Sequence, residues 1–316
     1  MESRESRLEY FAEMLLSVLH TSVFSALTGI AMANETYTRQ LEETITCGSP
    51  ESKIDCPQNY SLDLVKKSAM EHQIFDPMLR KALSVKSMEA RKACTSTSIT
   101  LDTGGWCLTR SKTYNPDTGG RRDMAREDLI VTLLNNQTYV VPRQHVPAEN
   151  SILEFVISLV DADPQVTIND FGAGVGQYGH ELFAVRPEAK YLGYDGAGNV
   201  ELFTDGFLQW FDLTMPLALP KADWVMSLEV GEHVPHRHEM MVIRNLHAHN
   251  AKGLILSWAK LGQRGKSHIN THSMQYLLKI FTELGYDYDE AASMAIRAKA
   301  KYHWFKHTLM IFRRRL

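Results

Sequence analysis

Short apolar runs alternate with amphipathic stretches from residue 150 to residue 316, and this alternation constrains the fold more than any other feature. Apolar runs of strand length predict strands at residues 166–170, 191–194, 208–212, 222–228, 253–258 and 306–312. Apolar residues at helical spacing predict helices at residues 152–160, 177–185, 199–205, 236–249 and 290–301. Because strands that alternate with helices need crossover connections, we expect an α/β domain over residues 150–316, with a mostly parallel sheet and helices on both faces.

Residues 34–149 lack this regular alternation, and we expect them to form an accessory region that covers the α/β domain. A helix is predicted over residues 62–83. Two strands, at residues 129–134 and 138–141, flank a turn at Asn135 and Asn136. The sequence Asp-Thr-Gly-Gly occurs at residues 102–105 and again at residues 117–120, which predicts two turns.

The segment formed by residues 1–33 has three open interpretations. Residues 11–33 are largely apolar, are interrupted by Glu13, and end in Ala-Met-Ala, the small-x-small pattern of a signal-peptidase site. The preceding residues mix acids with bases, whereas a signal peptide begins with a positively charged stretch. The segment therefore predicts a signal peptide, a membrane anchor, or an amphipathic helix packed on the protein.

Cysteines and glycosylation sequons both concentrate before the α/β domain. The cysteines are Cys47, Cys56, Cys94 and Cys107. Sequons of the form Asn-x-Ser/Thr begin at Asn34, Asn59 and Asn136. An even number of cysteines in a loop-rich region is typical of a disulfide-linked luminal segment. We expect a glycoprotein of the secretory pathway in preference to a cytoplasmic protein, with the disulfide pairing left open.

The charge of the chain argues against nucleic acid as a partner. The sequence carries 34 Lys and Arg residues against 37 Asp and Glu residues, a net charge of -3, and no basic groove is legible. Binding to phosphates needs clustered cationic side chains. The run of arginines at residues 313–315 is short, and we expect it to end a surface strand in solvent.

A glycine-rich loop follows the first predicted strand of the α/β domain. It contains Gly172-x-Gly174-x-Gly176 directly after Asp170, and Gly174-x-Gly176-x-x-Gly179 also matches the fingerprint of dinucleotide-binding proteins. Glycine permits close approach of the backbone to a ligand, and the following helix offers free N–H groups. An acid at Asp170 would repel the pyrophosphate of NAD but favours the ammonium and sulfonium groups of S-adenosylmethionine. We therefore predict S-adenosylmethionine as the cofactor, with an NAD(P)-dependent oxidoreductase as the alternative.

Two further acids follow the next predicted strands. Asp195 and Gly196 follow the second strand, where a carboxylate can accept hydrogen bonds from both ribose hydroxyls. Asp212 follows the third strand, where the adenine amino group would lie. A non-catalytic binding module of the same fold is a third interpretation, which the intact glycines and Asp195 disfavour.

From Asp170 onward the chain resembles the class I, Rossmann-like S-adenosylmethionine-dependent methyltransferases. The resemblance rests on Asp-Leu-Thr-Met-Pro-Leu at residues 212–217, Asp-Trp-Val-Met-Ser-Leu-Glu-Val-Gly-Glu-His-Val-Pro at residues 223–235, and Ser-Trp-Ala-Lys-Leu-Gly-Gln-Arg-Gly-Lys-Ser-His-Ile-Asn at residues 257–270. The chain departs at Leu261 and Arg264, where such proteins often carry proline and glycine, and this affects the expected shape of the substrate loop. The resemblance implies a seven-stranded sheet. It also implies a lid or acceptor-binding role for the Gly-Gly-Trp-Cys run at residues 104–107.

Polar residues after the fourth and fifth strands of the domain are the candidates for catalysis, because ligands bind at the carboxyl ends of parallel strands. We predict His268, His233 and Glu229 as catalytic residues, with a histidine as general base, and the resemblance also places Glu229 beside the cofactor. The alternatives are that His233 caps the next helix and that His268 braces its loop by a hydrogen bond. Gln263 and Asn270 are predicted to contact the substrate. The expected reaction is in-line methyl transfer to a hydroxyl of a glycan or a small molecule.

No metal site is predicted from the histidines. Those at positions 233, 236 and 238, with Glu239, are spaced so that they do not share one helix face. His247 and His249 are expected on the surface. Trp210, Trp224 and Trp258 lie in or beside strands and are expected to pack in the core.

Overall fold

A computed structural model describes residue 65 and residues 77–94, 101, 103–109, 128–142, 145–217 and 219–315. The segment at residues 1–33, the turn at residues 117–120, Cys47, Cys56 and the sequons at Asn34 and Asn59 lie outside the described residues. Within the described part of the chain, no helix combines the length and the apolar character that crossing a bilayer requires. Asn136 lies on an exposed hairpin turn.

Nine strands and eight α-helices are described. The strands are β1 Leu129–Thr132, β2 Thr138–Val141, β3 Thr167–Phe171, β4 Lys190–Asp195, β5 Gln209–Trp210, β6 Ala222–Leu228, β7 Asn250–Ser257, β8 Tyr286–Tyr288 and β9 Met310–Arg314. The helices are α1 Pro77–Cys94, α2 Asn150–Ala162, α3 Gln177–Val185, α4 Val200–Phe203, α5 Glu239–Ala248, α6 Met274–Glu283, α7 Glu290–Lys299 and α8 Phe305–Thr308. Two single-turn 3-10 helices, Gly231–His233 and His236–His238, separate β6 from α5.

The seven-stranded, mostly parallel sheet that the sequence predicts is confirmed. The strand order is β5-β4-β3-β6-β7-β9-β8, and only β9 runs antiparallel to its neighbours. From β3 the chain first adds β4 and β5 on one side. It then places β6 on the other side of β3, and the remaining strands lie beyond β6. The carboxyl ends of β3 and β6 therefore border a crevice at the topological switch point of the sheet, where α/β proteins bind their ligands.

Two hydrophobic clusters cover the two faces of this sheet. Val225, Leu254 and Phe312 belong to the cluster that includes α5 and α6. Their chain neighbours, such as Met226 and Ile255, belong to the cluster that includes α2 and α7. Successive strand residues point to opposite faces, so an apolar run of this kind requires cover on both sides.

The C-terminal prediction is wrong in its details. The strand predicted over residues 306–312 is a short helix, α8, followed by β9, because Phe305 and Thr308 are buried at helical spacing while Lys306 and His307 are exposed. Helix α6 and strand β8 were not predicted. The described helix α1, Pro77–Cys94, overlaps the end of the helix predicted at residues 62–83 and continues beyond it, and the helix predicted at residues 236–249 begins as a 3-10 turn.

The surface placement of two histidines is also wrong. His247 and His249 are buried, because β8 and the chain before β6 cover the face of α5 that was expected to meet solvent. The ring of His247 bonds the Tyr286 hydroxyl at 3.1 Å, and Arg314 donates to the His247 carbonyl at 2.7 Å. The arginine run therefore does not simply end in solvent. Trp224 and Trp258 are buried as expected, and Trp210 is half-buried.

Candidate active site

The glycine loop connects β3 to α3 and turns sharply back against β4. The backbone N–H groups of Gly172 and Ala173 both donate to the Tyr194 carbonyl, each at 2.9 Å. Gly172, Gly174 and Gly176 have positive φ angles of 84°, 64° and 82°, a region that costs other residues about 1–2 kcal/mol each. The loop therefore requires glycine at these positions for its shape as well as for access to a ligand.

Asp195 ends β4 and is held by backbone donors on both sides. Its Oδ2 accepts from the Gly174 N–H at 2.8 Å, and its Oδ1 accepts from the Ala197 N–H at 2.8 Å. Burial raises the pKa of this carboxyl to about 6, against the lowering effect of the two hydrogen bonds. Both oxygens are thus oriented before any ligand arrives, and each keeps a second lone pair for a hydroxyl donor.

Asp170 and Asp212 are the other two acids at the strand ends. Asp170 Oδ2 accepts from the Tyr191 hydroxyl at 2.6 Å, and burial raises the pKa of the Asp170 carboxyl to about 7. Asp212 Oδ1 accepts from the Thr214 N–H at 2.8 Å and from its hydroxyl at 2.7 Å, and burial raises the pKa of this carboxyl as well. A cationic ligand would stabilise the ionised forms of these buried acids.

A cavity of about 510 Å³ joins these residues to the loops after β6 and β7. Its volume lies in the range of sites for small molecules and cofactors. It is lined by most of the residues predicted from sequence: Asp170, Gly172, Gly174, Asp195, Gly196, Asp212, Glu229, His233, Gln263 and His268. Gly176 and Asn270 do not line it. A Cβ at Gly176 would overlap the Phe207 ring, and Asn270 is buried beneath the site.

Residues 103–108, which we call the strap, cover one side of the cavity. Five of the six strap residues line it, all except Cys107. A disulfide joins Cys107 to Cys94 at the end of α1. Leu108 is fixed by two hydrogen bonds to the Asn199 side chain, from its N–H at 2.9 Å and to its carbonyl at 2.8 Å. The lid or acceptor-binding role that the resemblance implies for residues 104–107 stays a prediction.

Glu229 comes directly after β6 in the left-handed region, with φ of 54°. Its Oε2 accepts from Gln263 Nε2 at 3.1 Å, and its Oε1 accepts from the Thr308 hydroxyl at 3.1 Å. Burial raises the pKa of the Glu229 carboxyl. A strained backbone held by side-chain contacts is common where a residue must present its side chain to a ligand.

His233 and His268 meet at the far end of the cavity. His233 follows β6 and His268 lies in the loop after β7, with 34 residues between them in the sequence. Their ring centroids are 5.1 Å apart, and the Trp106 ring packs edge-on against His233 at 4.9 Å. The backbone N–H groups of Ile269 and Asn270 donate to the Glu232 carbonyl, at 2.9 Å and 3.1 Å, and hold the two loops together. Burial, together with the charge of His268, lowers the pKa of His233 to about 4, so its imidazole is neutral at pH 7.

Residues distant in sequence form two clusters of side chains that could bind a metal ion. The prediction from sequence considered only histidines that are close together along the chain. One cluster consists of Glu232, His233 and His268 at the cavity end, and the other of His236, Glu239 and His272 beneath it. In the second cluster Glu239 accepts from His236 Nδ1 at 3.0 Å and also from His272 Nε2 and the Tyr276 hydroxyl.

His145 is a lining residue that the sequence did not indicate. It precedes α2 in an irregular stretch, where no periodicity marks it, and its ring lies where a Cβ at Gly174 would overlap it. Burial lowers the pKa of His145 to about 4, and the charge of His233 lowers it further. Arg264 and Lys266 line the opposite rim and give it cationic groups.

Comparison with known proteins gives fold-level likeness only. No protein-family model and no curated protein matches the chain. Among solved structures, magnesium protoporphyrin IX methyltransferase from Synechocystis PCC 6803 with bound SAH is 19% identical, with a TM-score of 0.37 over 52% of this chain and 82% of that one. An amino pentose methyltransferase from Micromonospora echinaspora is 14% identical, with a TM-score of 0.40 over 52% and 91%. A sugar N-methyltransferase from Streptoalloteichus sp ATCC 53650 is 11% identical, with a TM-score of 0.41 over 52% and 87%.

Proposed function

We propose that this chain is an S-adenosylmethionine-dependent methyltransferase that methylates a hydroxyl of a glycan or small molecule. The observation that carries the proposal is the buried carboxyl of Asp170 at the end of β3, beside the glycine loop. A dinucleotide would bring its anionic pyrophosphate to this loop and this carboxyl, at a high cost in repulsion. S-adenosylmethionine would bring an ammonium and a sulfonium, whose charges favour the ionised carboxylates.

The cofactor would lie along the carboxyl ends of the strands. Its ribose hydroxyls would donate to the two oriented oxygens of Asp195, and its adenine would lie beside Asp212 and Phe211. Its amino-acid end would lie against Asp170 and the glycine loop. This orientation directs the sulfonium methyl toward Glu229 and the two histidines at the far end of the cavity.

The acceptor would enter between the strap and the loop after β7. Where no ion is bound, the acceptor hydroxyl would lose its proton to the imidazole of His268 or of His233, both of which line the cavity. The acceptor oxygen forms a bond to the methyl carbon while the carbon–sulfur bond breaks. The electron pair of that bond stays on sulfur, which leaves S-adenosylhomocysteine. Trp106 offers the acceptor an aromatic surface.

We further propose that the protein works in the lumen of the secretory pathway, where glycan hydroxyls are abundant. Two features support this location: the disulfide between Cys94 and Cys107, and the exposed sequon at Asn136. Residues 1–33 would direct the chain there as a signal peptide or an anchor. Glycosidase treatment of tagged full-length protein should increase its mobility, and an unglycosylated, cytosolic chain would contradict the location.

Calorimetric titration with S-adenosylmethionine, S-adenosylhomocysteine and NADH tests the cofactor. We expect micromolar binding of the first two and none of NADH. Asp195→Ala should weaken cofactor binding by at least about tenfold, because the ribose loses a charged acceptor worth about 1.5–3 kcal/mol. Asp287→Ala, at an exposed position on β8, is the matched control. Binding of NADH alone would favour the oxidoreductase, and cofactor binding without turnover in any acceptor screen would favour the binding module.

A further inference from the structure

We infer that Glu232, His233 and His268 form a binding site for a divalent first-row transition ion at the acceptor end of the cavity. One ligand atom from each of the three side chains lies within 4.8 Å of the other two. Two imidazoles and one carboxylate can occupy one face of a metal ion and leave its remaining positions open to other ligands. His233 and His268 line the cavity, so those open positions would face the acceptor.

The carboxylate of this set belongs to a fully buried residue, Glu232. Glu232 is 0% exposed, and neither of its carboxyl oxygens has a well-aligned hydrogen-bond partner among the described residues. A buried carboxyl without partners costs several kcal/mol if it is ionised, so such groups are normally paired or bind a metal. The Glu229 carboxyl and the Ala259 backbone are the polar groups near the Glu232 carboxyl. A cation bound to Glu232 would offset the cost of burying its charge.

The two imidazoles are already oriented as ligands. The Nδ1 of His233 lies 3.2 Å from the Ser267 carbonyl, and the Nδ1 of His268 lies 3.2 Å from the Gln263 carbonyl. A carbonyl can only accept, so each Nδ1 carries a proton, and Nε2 is the nitrogen that can bind a metal when the ring is neutral. Metal-binding histidines are commonly held in this way, with the second ring nitrogen donating to a backbone carbonyl.

The neighbouring cluster of His236, Glu239 and His272 does not share this property. Glu239 already accepts from both histidines and from Tyr276. Its ligand atoms are therefore occupied by hydrogen bonds, and its charge is balanced by the two imidazoles. That cluster supports the loop that carries Asn270, whereas in the first cluster neither carboxyl oxygen of Glu232 has a well-aligned hydrogen bond among the described residues.

This inference rests on the proposed function only for the position of the acceptor, since metal binding itself needs no turnover. With the ion bound, both Nε2 lone pairs are taken up, so the imidazoles no longer serve as bases. The ion would instead bind the acceptor oxygen and lower the pKa of its hydroxyl, whose proton then leaves to water. Imidazole ligands favour Mn²⁺, Co²⁺, Fe²⁺ or Zn²⁺ over Mg²⁺, which prefers oxygen.

The test is titration of metal-free, full-length protein without an affinity tag, using Co²⁺ followed by visible absorption and Mn²⁺ followed by electron paramagnetic resonance. We expect one site, and a Mg²⁺ affinity lower than either. Glu232→Gln, His233→Ala and His268→Ala should each weaken Co²⁺ binding by at least about tenfold. Glu232→Gln keeps the shape of the side chain and removes the buried charge, so it should fold at least as well as the parent chain.

The control is the double variant His303→Ala/His307→Ala, which removes an exposed histidine pair with ring centroids 4.9 Å apart. Its Co²⁺ affinity should be unchanged. Equal Co²⁺ affinity in Glu232→Gln and the parent chain, or loss of binding in the surface double variant, would overturn the site. Cofactor titration of the same samples separates the two proposals: metal binding without S-adenosylmethionine binding refutes the function but not the site. Full turnover in the presence of a chelator refutes the role of the ion in activating the acceptor and leaves the imidazole base.

Discussion

Gly105 of the strap lies directly against the backbone of Gly196, so that a Cβ at Gly105 would overlap the Gly196 carbonyl. Gly196 follows Asp195, the residue proposed to hold the cofactor ribose. The strap and the cofactor site are therefore in backbone contact, and no side chain could yield to relieve an overlap there. A change in the strap is transmitted directly to the end of β4.

Gly105→Ala tests this coupling. We expect a loss of about 1–3 kcal/mol in the free energy of unfolding from overpacking, and weaker binding of S-adenosylhomocysteine because the strap must move off Gly196. Gly206→Ala is the control, since a Cβ at Gly206 meets nothing within 4 Å although its φ is 79°. It should lose about 1 kcal/mol of stability and keep its ligand affinity. Unchanged affinity in Gly105→Ala would show that the strap is not part of the cofactor site.

The disulfide should matter for both stability and binding. The double variant Cys94→Ser/Cys107→Ser removes a cross-link between residues that are 13 positions apart in the sequence. We expect its loss to lower the free energy of unfolding by about 3 kcal/mol. Ligand affinity should fall too, because the freed strap must be ordered again on binding. Dithiothreitol should weaken ligand binding to the parent chain down to the level of the variant. If dithiothreitol weakened binding to the variant by the same factor, its effect would have to come from Cys47 or Cys56.

Stability should depend on pH through Asp170. The carboxyl has a pKa of about 7 in the folded chain and about 3.9 in an unfolded one, so between these values the folded chain binds more protons. The free energy of unfolding of the ligand-free protein should therefore fall as the pH rises through this window. Asp195, with a pKa of about 6, acts in the same direction.

Urea denaturation at several pH values measures this effect. Asp170→Asn keeps an acceptor for the Tyr191 hydroxyl and removes the titration. Between about pH 5 and about pH 8 the parent chain should lose on the order of 1–3 kcal/mol more than the variant. Cofactor binding should have the opposite dependence, with tighter binding at high pH, and this dependence should be steeper in the parent chain than in the variant, which keeps Asp195. A parallel pH profile in both proteins would show that Asp170 stays ionised throughout.

The network around Glu239 should be essential to the fold of the acceptor end. Burial alone would raise the pKa of Glu239, but the charges and hydrogen bonds of His272 and His236 outweigh it and hold the pKa well below its usual range. Glu239→Gln leaves the buried His272 and the more exposed His236 without their anion and should cost about 3–5 kcal/mol. Thermal unfolding checks this prediction. Glu283→Gln on α6, whose carboxylate is exposed, should change stability by less than about 1 kcal/mol.

The site was predictable from sequence where its chemistry is local. Asp170, the glycines and Asp195 follow strands directly, so strand prediction alone brings them to one edge of the sheet. The pairing of Cys94 with Cys107 and the meeting of Glu232 with His268 depend on how separate loops fold together, and no spacing rule gives that. The surface exposure predicted for His247 and His249 was wrong for a related reason. Helix periodicity identifies the face of α5 that points away from the sheet, but it does not show whether a later strand, β8, covers that face.

Gly265→Ala separates the role of His268 from that of the cofactor site. A Cβ at Gly265 would overlap the His268 ring, so the imidazole must leave its position, while Gly265 itself has an ordinary φ that alanine can adopt. We expect turnover and Co²⁺ affinity each to fall by at least about tenfold, with S-adenosylhomocysteine binding unchanged. Gly262→Ala lies in the same loop and meets no neighbouring atom, so it should cost some stability and no metal affinity. Normal turnover of the Gly265→Ala variant, with its His268 ring shown to have moved, would mean that His268 acts neither as a base nor as a ligand. The acceptor would then have to be activated by His233 or His145 alone.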